Sequence, residues 1–420
     1  MKKYLINLQK IAERNKTLIQ NFSYLSALQV FNMLIPLITY PYLIRVLGKE
    51  TYGLVVFAQA VIGYLVILVG FGFNISATKE VSIHRDNKAK LSEIVSSVLW
   101  IKGGLLLISS LVLITLVFII PQVKEYKALF FLTTWICLYD VIFPIWYFQG
   151  IERMKYITYI TLVSRLTFLG LIFFFIHNPS DYLFLPIING IGALFAGIIS
   201  LYIVFGKHHV RFATQSYSTL KVYFMNSIPI FLSNVSIRLY VSTNKVIVGA
   251  LLGMTEVAYY DLAEKVTSVL KIPQGILSQS LFPKISKEKN LDFIKRIFKF
   301  SLLLNAILFI GVLIGSKYIV LLLGGQQMLD AILVLNILAL TVPVVSMSDI
   351  FGIQLLIPFG HTKTFSKVIM ASGLIYLLQA TLIWVTIGFS IINVSVITVT
   401  TEIFVTSAMF YYCKKYNLWK

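Results

Sequence analysis

The sequence predicts an all-α membrane protein with twelve transmembrane helices in two six-helix bundles. Composition, the length of the apolar runs and the arrangement of the loops all support this fold class. Of the 420 residues, 58% are apolar and 13% are charged, whereas roughly a quarter of the residues in an ordinary soluble domain are charged. This composition is typical of a chain that lies largely in lipid.

Apolar runs of about 18 to 25 residues recur along the chain, and a helix of that length crosses a hydrocarbon core about 30 Å thick. Residues 105–120 and 302–315 lie in two such runs. Spanning helices are therefore the expected elements. The predicted helices cover residues 21–46, 52–78, 93–120, 128–150, 156–177, 182–206, 222–252, 255–283, 296–323, 329–358, 364–388 and 391–413.

Basic residues are distributed unequally between the two sides of the predicted bundle. The 36 Lys and Arg outnumber the 17 Asp and Glu and give a formal net charge of +19. With both termini in the cytoplasm, most of these bases fall in the two tails and the even-numbered turns. The opposite turns and their borders carry Lys49, Lys124, Lys127 and Lys317. This is the positive-inside pattern, so the basic excess indicates topology, and we expect no nucleic-acid partner.

The two ends of the chain are predicted to be cytoplasmic tails. Residues 1–20 are basic and partly amphipathic, and they lack the apolar core and cleavage site of a removed signal peptide. Residues 414–420 form the second tail. Cys137 lies within predicted helix four and Cys413 at the cytoplasmic end of helix twelve, so we expect no disulfide between them.

The loops indicate an internal duplication. Each half of the chain has a short turn after its first helix, a long basic turn after its second and a short basic turn after its fourth. Similar residues recur about 205 to 210 positions apart, as Asp140 and Asp349 do. The sequence therefore predicts an N-lobe at 21–206, a cytoplasmic linker at 207–221 and a C-lobe at 222–413. A pseudo-two-fold axis along the membrane normal would relate the lobes.

Charged residues inside the predicted helices are the candidate functional residues. A charge at the centre of a spanning helix costs roughly 2.5 to 3.5 kcal/mol on insertion scales, so such side chains turn towards a partner or towards water. The candidate cargo-binding bases are Arg238 and Lys245 on helix seven, Lys271 on helix eight, Lys102 on helix three and Arg165 on helix five. The candidate cavity or ion-coupling acids are Asp140, Asp261, Glu264, Asp349 and Glu402.

Structural roles for these residues remain open beside the functional ones. Arg238 and Lys245 are seven residues apart and lie near one helical face. They either line a wet cavity that holds an anion or neutralise the acids of helix eight. Asp261 and Lys265, four residues apart, also suit an intrahelical ion pair. The aspartates of helices four and ten either anchor helix packing or contact cargo or a coupling ion.

Prolines inside the predicted helices indicate bends, because proline lacks the N–H group and disrupts the preceding turn. In a transporter such bends act either as gates or as simple packing kinks. The residues concerned are Pro36, Pro41, Pro144, Pro229, Pro273 and Pro343.

Catalytic patterns are missing from the sequence. It has no phosphate-cradling glycine loop, no zinc-type histidine spacing and no nucleophile elbow. A membrane glycosyltransferase, ligase or polymerase is the enzyme alternative, but such enzymes commonly need a sizeable extramembrane loop, and no outward turn here exceeds about ten residues. We therefore expect neither enzyme activity nor a cofactor.

Two stretches resemble a known family. Residues 21–60, NFSYLSALQVFNMLIPLITYPYLIRVLGKETYGLVVFAQA, and residues 146–157, WYFQGIERMKYI, are similar to the Wzx-type O-antigen and polysaccharide repeat-unit flippases. These belong to the multidrug/oligosaccharidyl-lipid/polysaccharide (MOP) exporter superfamily. The likeness extends over essentially the whole chain, although neither stretch is a catalytic signature.

The resemblance implies a fold like that of the drug and toxin extruders (MATE-like), in which two six-helix halves alternate between cytoplasmic and outward openings. The implied cargo is a polyprenyl-pyrophosphate-linked oligosaccharide that crosses the bacterial inner membrane. A polysaccharide polymerase or a glycosyltransferase is the implied protein partner. The family also implies a cationic central cavity, for which the five bases above are candidates by position. Lipid-linked peptidoglycan precursor flippases usually carry fourteen helices, two more than predicted here, which argues against that assignment.

The implied cargo suits the charges. A pyrophosphate and a chain of sugars cannot cross hydrocarbon unaided, because desolvating an unpaired charge costs many kcal/mol. Basic side chains in a cavity would replace the lost hydration, and an inward-moving cation bound by an acid is a candidate driving force. The alternative function is a cation-coupled exporter of small drugs. Cationic drugs would favour a net acidic cavity, whereas the candidates here include as many bases as acids.

Overall fold

A computed structural model describes residues 16–419, and no strand occurs among them. The predicted tail at 1–20 lies mostly outside the described residues. The first half of the chain contains α1 (Lys16–Gly70), α2 (Phe73–Ile83), α3 (Lys88–Ile119), α4 (Pro121–Glu125), α5 (Lys127–Thr133), α6 (Trp135–Ile142), α7 (Ile145–Gly150), α8 (Met154–Phe175), a 3-10 segment (Pro179–Leu183), α9 (Phe184–Leu201) and a π-helical segment (Tyr202–Lys207).

The second half is also helical. It contains α10 (Tyr217–Leu251), α11 (Met254–Leu270), α12 (Ile272–Glu288), α13 (Leu291–Gly324), a 3-10 segment (Gln326–Met328), α14 (Ala331–Ala339), α15 (Thr341–Asp349), a π-helical segment (Ile350–Leu356), α16 (Thr362–Thr386) and α17 (Ile391–Lys415).

A kink at Gly48 divides the long helix α1. The backbone of Gly48 has φ 76° and ψ 164°, a conformation that residues with a side chain rarely adopt. The first predicted turn, between residues 46 and 52, is therefore this single glycine kink. The residues on both sides of Gly48 are helical.

Three predicted helices are interrupted near their prolines. Predicted helix four consists of α5, α6 and α7, and α7 begins directly after Pro144. Predicted helix eight is divided between Leu270 and Ile272, just before Pro273. Predicted helix ten consists of α14, α15 and the following π-helical segment, with Pro343 in the first turn of α15. Proline explains the breaks before α7, before α12 and before α15, because it disfavours helical geometry in the residues before it. The break between α5 and α6 lies at Thr134, ten residues before Pro144, and is not explained by it.

The protein is a multi-pass membrane protein. Within residues 16–419, nine helical segments are long and apolar enough to cross a membrane. Their outer faces expose large apolar side chains such as Leu107, Phe118 and Ile314, which are 69%, 78% and 78% exposed. Contiguous exposure of this kind is rare on soluble proteins and suits a surface covered by lipid.

The chain divides into two units, each with its own core. Unit 1 comprises residues 16–39 and 61–234, and its core includes Trp146, Tyr147 and Phe148. Large buried aromatic side chains of α7 thus hold this unit together.

Unit 2 comprises residues 40–60 and 235–419, and its core includes Phe351, Leu355 and Met409. These side chains pack the π-helical segment after α15 against α17. The division into lobes at the linker 207–221 stays a prediction.

Candidate functional site

Charged side chains of unit 2 converge on Asp261 in α11. This residue is 2% exposed and accepts hydrogen bonds from three donors. Lys245 of α10 lies 2.8 Å from Oδ1, while Lys265 and the hydroxyl of Tyr52 donate to Oδ2. Lys245 also forms an ion pair with Glu264. These five residues, the Asp261 cluster, carry two positive and two negative charges and are balanced.

Helix geometry explains why the Asp261 cluster forms. Asp261, Glu264 and Lys265 are spaced three and four residues apart and share one face of α11. Lys265 also lies over two aromatic rings, with Nζ 4.7 Å from the centroid of Tyr40 and 5.2 Å from that of Tyr52. Cation–π contacts add to the ion pair. One carboxylate and two aromatic rings thus stabilise the charge of Lys265.

Arg238 differs from Lys245, although both lie on α10. Its Nη1 donates a hydrogen bond to Ser242 Oγ, one turn away, at 2.9 Å. No acidic side chain within residues 16–419 forms an ion pair with it. For Lys245 the structure shows the neutralising arrangement, whereas Arg238 has a charge that no acidic side chain in the described part of the chain pairs with.

Lys271 lies at the break between α11 and α12. Glu402 of α17 and Glu264 are the acids that act on it electrostatically. Neither forms a direct ion pair with Lys271 among the described residues. Lys271 is likewise the base that acts on Glu402. The charge of Lys271 is therefore offset by two acids that are not in direct contact with it.

Asp349, the last residue of α15, sits in a network of neutral polar side chains. Gln274 Nε2 donates to Oδ2 at 2.8 Å, and Ser278 Oγ donates to Oδ1 at 3.0 Å. The side-chain oxygen of Gln274 accepts in turn from Ser301 and from Asn305. The carboxylate has hydrogen-bond donors but no cationic partner in the part of the chain that the structure describes.

In unit 1, Lys102 of α3 is paired with Asp140 of α6. Its Nζ lies 2.7 Å from Asp140 Oδ2 and 2.6 Å from the backbone carbonyl oxygen of the same residue. Arg165 of α8, by contrast, is exposed and forms no ion pair with a described acidic side chain. Two of the five predicted bases, Lys102 and Lys245, therefore have direct acidic partners, and the other three do not.

Several polar residues of these networks were not among the sequence-predicted candidates. The four-residue spacing of Gln274 and Ser278, and of Ser301 and Asn305, marks polar stripes within apolar helices and is a usable signal. Tyr52 gives no comparable signal, because tyrosine is common in membrane helices. Its contact with Asp261 depends on how helices distant in sequence pack together.

The charged side chains described above can bind ligands of either charge. No group of three or more His, Cys, Asp or Glu side chains within residues 16–419 could hold a metal ion. Cys137 and Cys413 are free and buried. The groups that remain are isolated cations, balanced ion pairs and a carboxylate with neutral donors, which can bind and release charged ligands.

Comparison with known proteins identifies the family. The sequence matches the family described as "Polysaccharide biosynthesis protein" over residues 18–289. The chain belongs to this family. A relative in Escherichia coli (strain K12), named "Putative O-antigen transporter", is 30% identical over 408 residues, which cover 95% of this chain and 97% of the relative. A relative of the same name in Shigella dysenteriae is 27% identical and covers 83% of this chain and 88% of its own length.

Solved structures show the fold of this family member. The "Lipid II flippase MurJ, inward closed conformation" superposes with a TM-score of 0.73 at 14% identity, covering 94% of this chain and 87% of MurJ. An inward-facing multidrug resistance MATE family transporter of the MOP superfamily gives 0.68 at 14% identity, covering 91% and 98%. The predicted membership of the polysaccharide transporter family is confirmed by the family match and the relatives, and the two solved structures show that the chain has the same helical fold as MurJ and the MATE transporter.

Proposed function

We propose that this protein is a flippase for polyprenyl-pyrophosphate-linked oligosaccharide repeat units. In this proposal it moves them by alternating access from the cytoplasmic to the outer leaflet of the bacterial inner membrane. The names of the two relatives support O-antigen as cargo, and the name of the MurJ structure supports a fold suited to lipid-linked cargo. Surface polysaccharide repeat units in general fall within the proposal.

The observation that carries the proposal is that Arg238 forms no ion pair with any described acidic side chain. A guanidinium within a membrane helix is expensive unless a partner stabilises it, yet its described partner is a single hydroxyl group. Its planar fork of N–H donors matches the geometry of a phosphate group. A passing pyrophosphate would supply the negative charge that the described acidic side chains do not.

The other predicted bases take different places in the proposal. Lys271 has no direct acidic partner among the described residues, so like Arg238 it can contact cargo. Arg165 has no described acidic partner either, and its role in cargo binding stays a prediction. Lys102 and Lys245 would first have to exchange a carboxylate for a phosphate. Their role in cargo binding stays a prediction, and the ion pairs favour a structural role in this conformation.

Twelve spanning helices in two bundles are part of the proposal. The first of the nine apolar segments, Ala27–Ile83, has 57 residues, about 85 Å of helix at 1.5 Å per residue. That is far more than one crossing of a core about 30 Å thick requires, and the kink at Gly48 divides it. α10, and α11 together with α12, add two crossings, and these carry the charges of the candidate site. An even number of crossings with basic even-numbered turns supports cytoplasmic termini.

We assign Asp349 as the acid for a coupling cation. Asp261 and Glu264 are neutralised by lysines, and Asp140 is paired with Lys102. Asp349 has neutral donors only, so a proton or a sodium ion would balance its charge. Glu402, which Lys271 influences from a distance, is the second candidate.

Transport by the purified protein tests the function. Proteoliposomes would carry a fluorescent polyprenyl-pyrophosphate-linked oligosaccharide, and quenching by an impermeant reductant would report its movement between leaflets. We expect protein-dependent flipping of this lipid and no extrusion of a cationic dye. A protein that extrudes the dye but moves no lipid-linked sugar would instead be a cation-coupled exporter of small drugs.

Association with a polymerase or glycosyltransferase stays a prediction, which co-purification from membranes would examine.

A further inference from the structure

Basic side chains gather around Tyr156 in unit 1. The Nζ atoms of Lys155 and Lys207 lie 5.4 Å and 5.8 Å from the centroid of its ring. The hydroxyl of Tyr156 also interacts with Arg153. The ring of His208 packs edge-on against it, with centroids 5.8 Å apart. We call these five residues the Tyr156 cluster.

Two different parts of unit 1 supply the Tyr156 cluster, and both show backbone strain. Glu152, directly before Arg153, has φ 57°, and His209, directly after His208, has φ 54°. A left-handed conformation costs a residue with a side chain roughly 1 to 2 kcal/mol. The turn at Glu152 is fixed by Asn21, which accepts a hydrogen bond from the backbone N–H of Met154 at 3.2 Å and donates one to the carbonyl oxygen of Glu152 at 2.8 Å. The fold thus holds these cations together in spite of strain, as is common at functional sites.

No described acid balances the cluster. The carboxylate of Glu152 lies 3.0 Å from Arg85 instead. Burial, and then the charges of Arg153, Lys207 and His209, lower the pKa of His208. Arg153 and Lys207 are both positively charged. The Nζ atoms of Lys155 and Lys207 lie 5.4 Å and 5.8 Å from the Tyr156 ring centroid, and like charges at one site repel one another unless an anion lies between them.

His208 adds an unused polar atom. The buried hydroxyl of Tyr147 lies 3.0 Å from its Nδ1, at hydrogen-bond distance. The second ring nitrogen of His208 is Nε2. This atom is enclosed and has no hydrogen-bond partner among the described residues. The cluster thus contains a buried polar atom without a described partner besides its cations.

We infer that the Tyr156 cluster is a docking site for the pyrophosphate group of the lipid-linked cargo, distinct from the intramembrane bases. This inference rests on the proposed function. The basic turns place this end of α8 at the cytoplasmic side, from which cargo enters in the proposed direction. Arg153 and Lys207 offer charge-assisted hydrogen bonds to phosphate oxygens, which are stronger than neutral ones.

Binding of inorganic pyrophosphate tests the site without transport. The protein would be placed in neutral phosphatidylcholine nanodiscs, and binding would be measured by calorimetry. The double variant Arg153→Gln/Lys207→Gln should raise the Kd about tenfold or more, because charge-assisted contacts are lost. The matched control Lys363→Gln/Lys367→Gln removes the same charge from two positions on α16 and should leave the Kd within about twofold, as surface charges have small effects. An equal loss of pyrophosphate affinity in both double variants, or no loss of affinity in either, would overturn the inference.

Transport separates failure of the site from failure of the function. In the flipping assay, Arg153→Gln/Lys207→Gln should raise KM with little change in kcat, because docking precedes the transport step. If the wild-type protein flips cargo and the double variant matches it in KM, the docking site is refuted while the function stands. If the wild-type protein flips nothing but binds pyrophosphate through Arg153 and Lys207, the function fails while an anion site remains.

A membrane phospholipid is the other source of the same phosphate chemistry. Nanodiscs that contain phosphatidylglycerol distinguish the two. If cargo docks here, pyrophosphate binding in these discs should still depend on Arg153 and Lys207. A site filled by phosphatidylglycerol, which co-purifies with the wild-type protein but not with the double variant and abolishes pyrophosphate binding, would overturn the inference.

Discussion

Lys102 and Asp140 form a buried ion pair in which the lysine side chain is 1% exposed and its Nζ lies 2.7 Å from Oδ2. Lys102 also donates to the backbone carbonyl oxygen of Asp140 at 2.6 Å. The lysine is thus bound twice to a residue of the interrupted region α5 to α7. Lys102 is buried in unit 1 and contacts Asp140 twice. The pair therefore joins α3 to α6.

Breaking this pair should destabilise the protein more than removing it. Lys102→Met or Asp140→Asn alone leaves the partner without compensation, which costs roughly 3 to 5 kcal/mol for a buried pair. The double variant Lys102→Met/Asp140→Asn removes both charges and should recover most of the loss. Thermal unfolding in detergent measures all three. Additive losses in the double variant would show that the two side chains are not coupled.

The two acids of the Asp261 cluster should differ in importance for stability. Asp261 accepts from Lys245, Lys265 and Tyr52, whereas Glu264 pairs with Lys245. Asp261→Asn leaves Lys265 without its carboxylate and should lower the Tm clearly more than Glu264→Gln. Each variant removes one negative charge, so each is the matched control for the other. Equal shifts in Tm would mean that total charge, and not the contacts of Asp261, stabilises the cluster.

The sequence predicts much of the fold and part of these networks. Apolar run lengths locate the helices, and the four-residue spacing of Asp261 and Lys265 predicts an ion pair that the structure contains. Local spacing suffices there because both residues share one helix. It does not decide between the two interpretations of Lys245, whose partners lie on the next helix.

Partners that come together through packing could not be predicted. Tyr52 is 209 residues from Asp261 in the sequence, so no local spacing predicts that the two side chains are in contact. The interruptions at Pro144 and Pro273 are predictable from proline chemistry as bends. The position of Lys271 at such a break follows only from the folded backbone. The cargo roles of the predicted bases therefore depend on experiment.

Gly48 should tolerate alanine poorly. Its φ of 76° is strained for any residue with a side chain, although a Cβ added at this position would meet no atom within 4 Å. Because φ 76° with ψ 164° is a conformation found almost only in glycine, Gly48→Ala should cost about 1 to 3 kcal/mol through backbone strain alone. Gly104→Ala is the control, because a Cβ there also meets open space and Gly104 lies within α3. Alanine in a helix is favoured over glycine, so the control should be neutral or stabilising.

Asp349→Asn should uncouple transport from an ion gradient. The substitution removes the charge that a coupling cation would balance, while Asn can keep a hydrogen bond to Gln274 or Ser278. We expect flipping by the wild-type protein to accelerate when a proton or sodium gradient is imposed on the proteoliposomes. The variant should flip at the rate seen without a gradient. A variant that responds to both gradients as the wild-type protein does would remove Asp349 from the coupling assignment.

Arg238→Ala should impair transport without unfolding the protein. Its described contact is one hydrogen bond to Ser242, so the loss of stability should be about 1 kcal/mol. Loss of a charge-assisted contact to phosphate is worth roughly 1.5 to 3 kcal/mol, which corresponds to a flipping rate about 10- to 100-fold lower at limiting cargo. Arg238→Lys should retain part of the rate, because lysine keeps the charge but not the planar fork.

Ser242→Ala is the matched control for Arg238. It removes the same hydrogen bond but leaves the guanidinium in place, so transport should stay within about twofold of the wild-type rate if the charge matters and the bond does not. Rates in proteoliposomes and Tm values in detergent, measured on the same preparations, separate the two effects. If Ser242→Ala slows flipping as much as Arg238→Ala, the arginine acts by holding α10 in shape. If neither variant slows it, the unbalanced charge of Arg238 takes no part in moving the cargo, and the central support for the proposed function is lost.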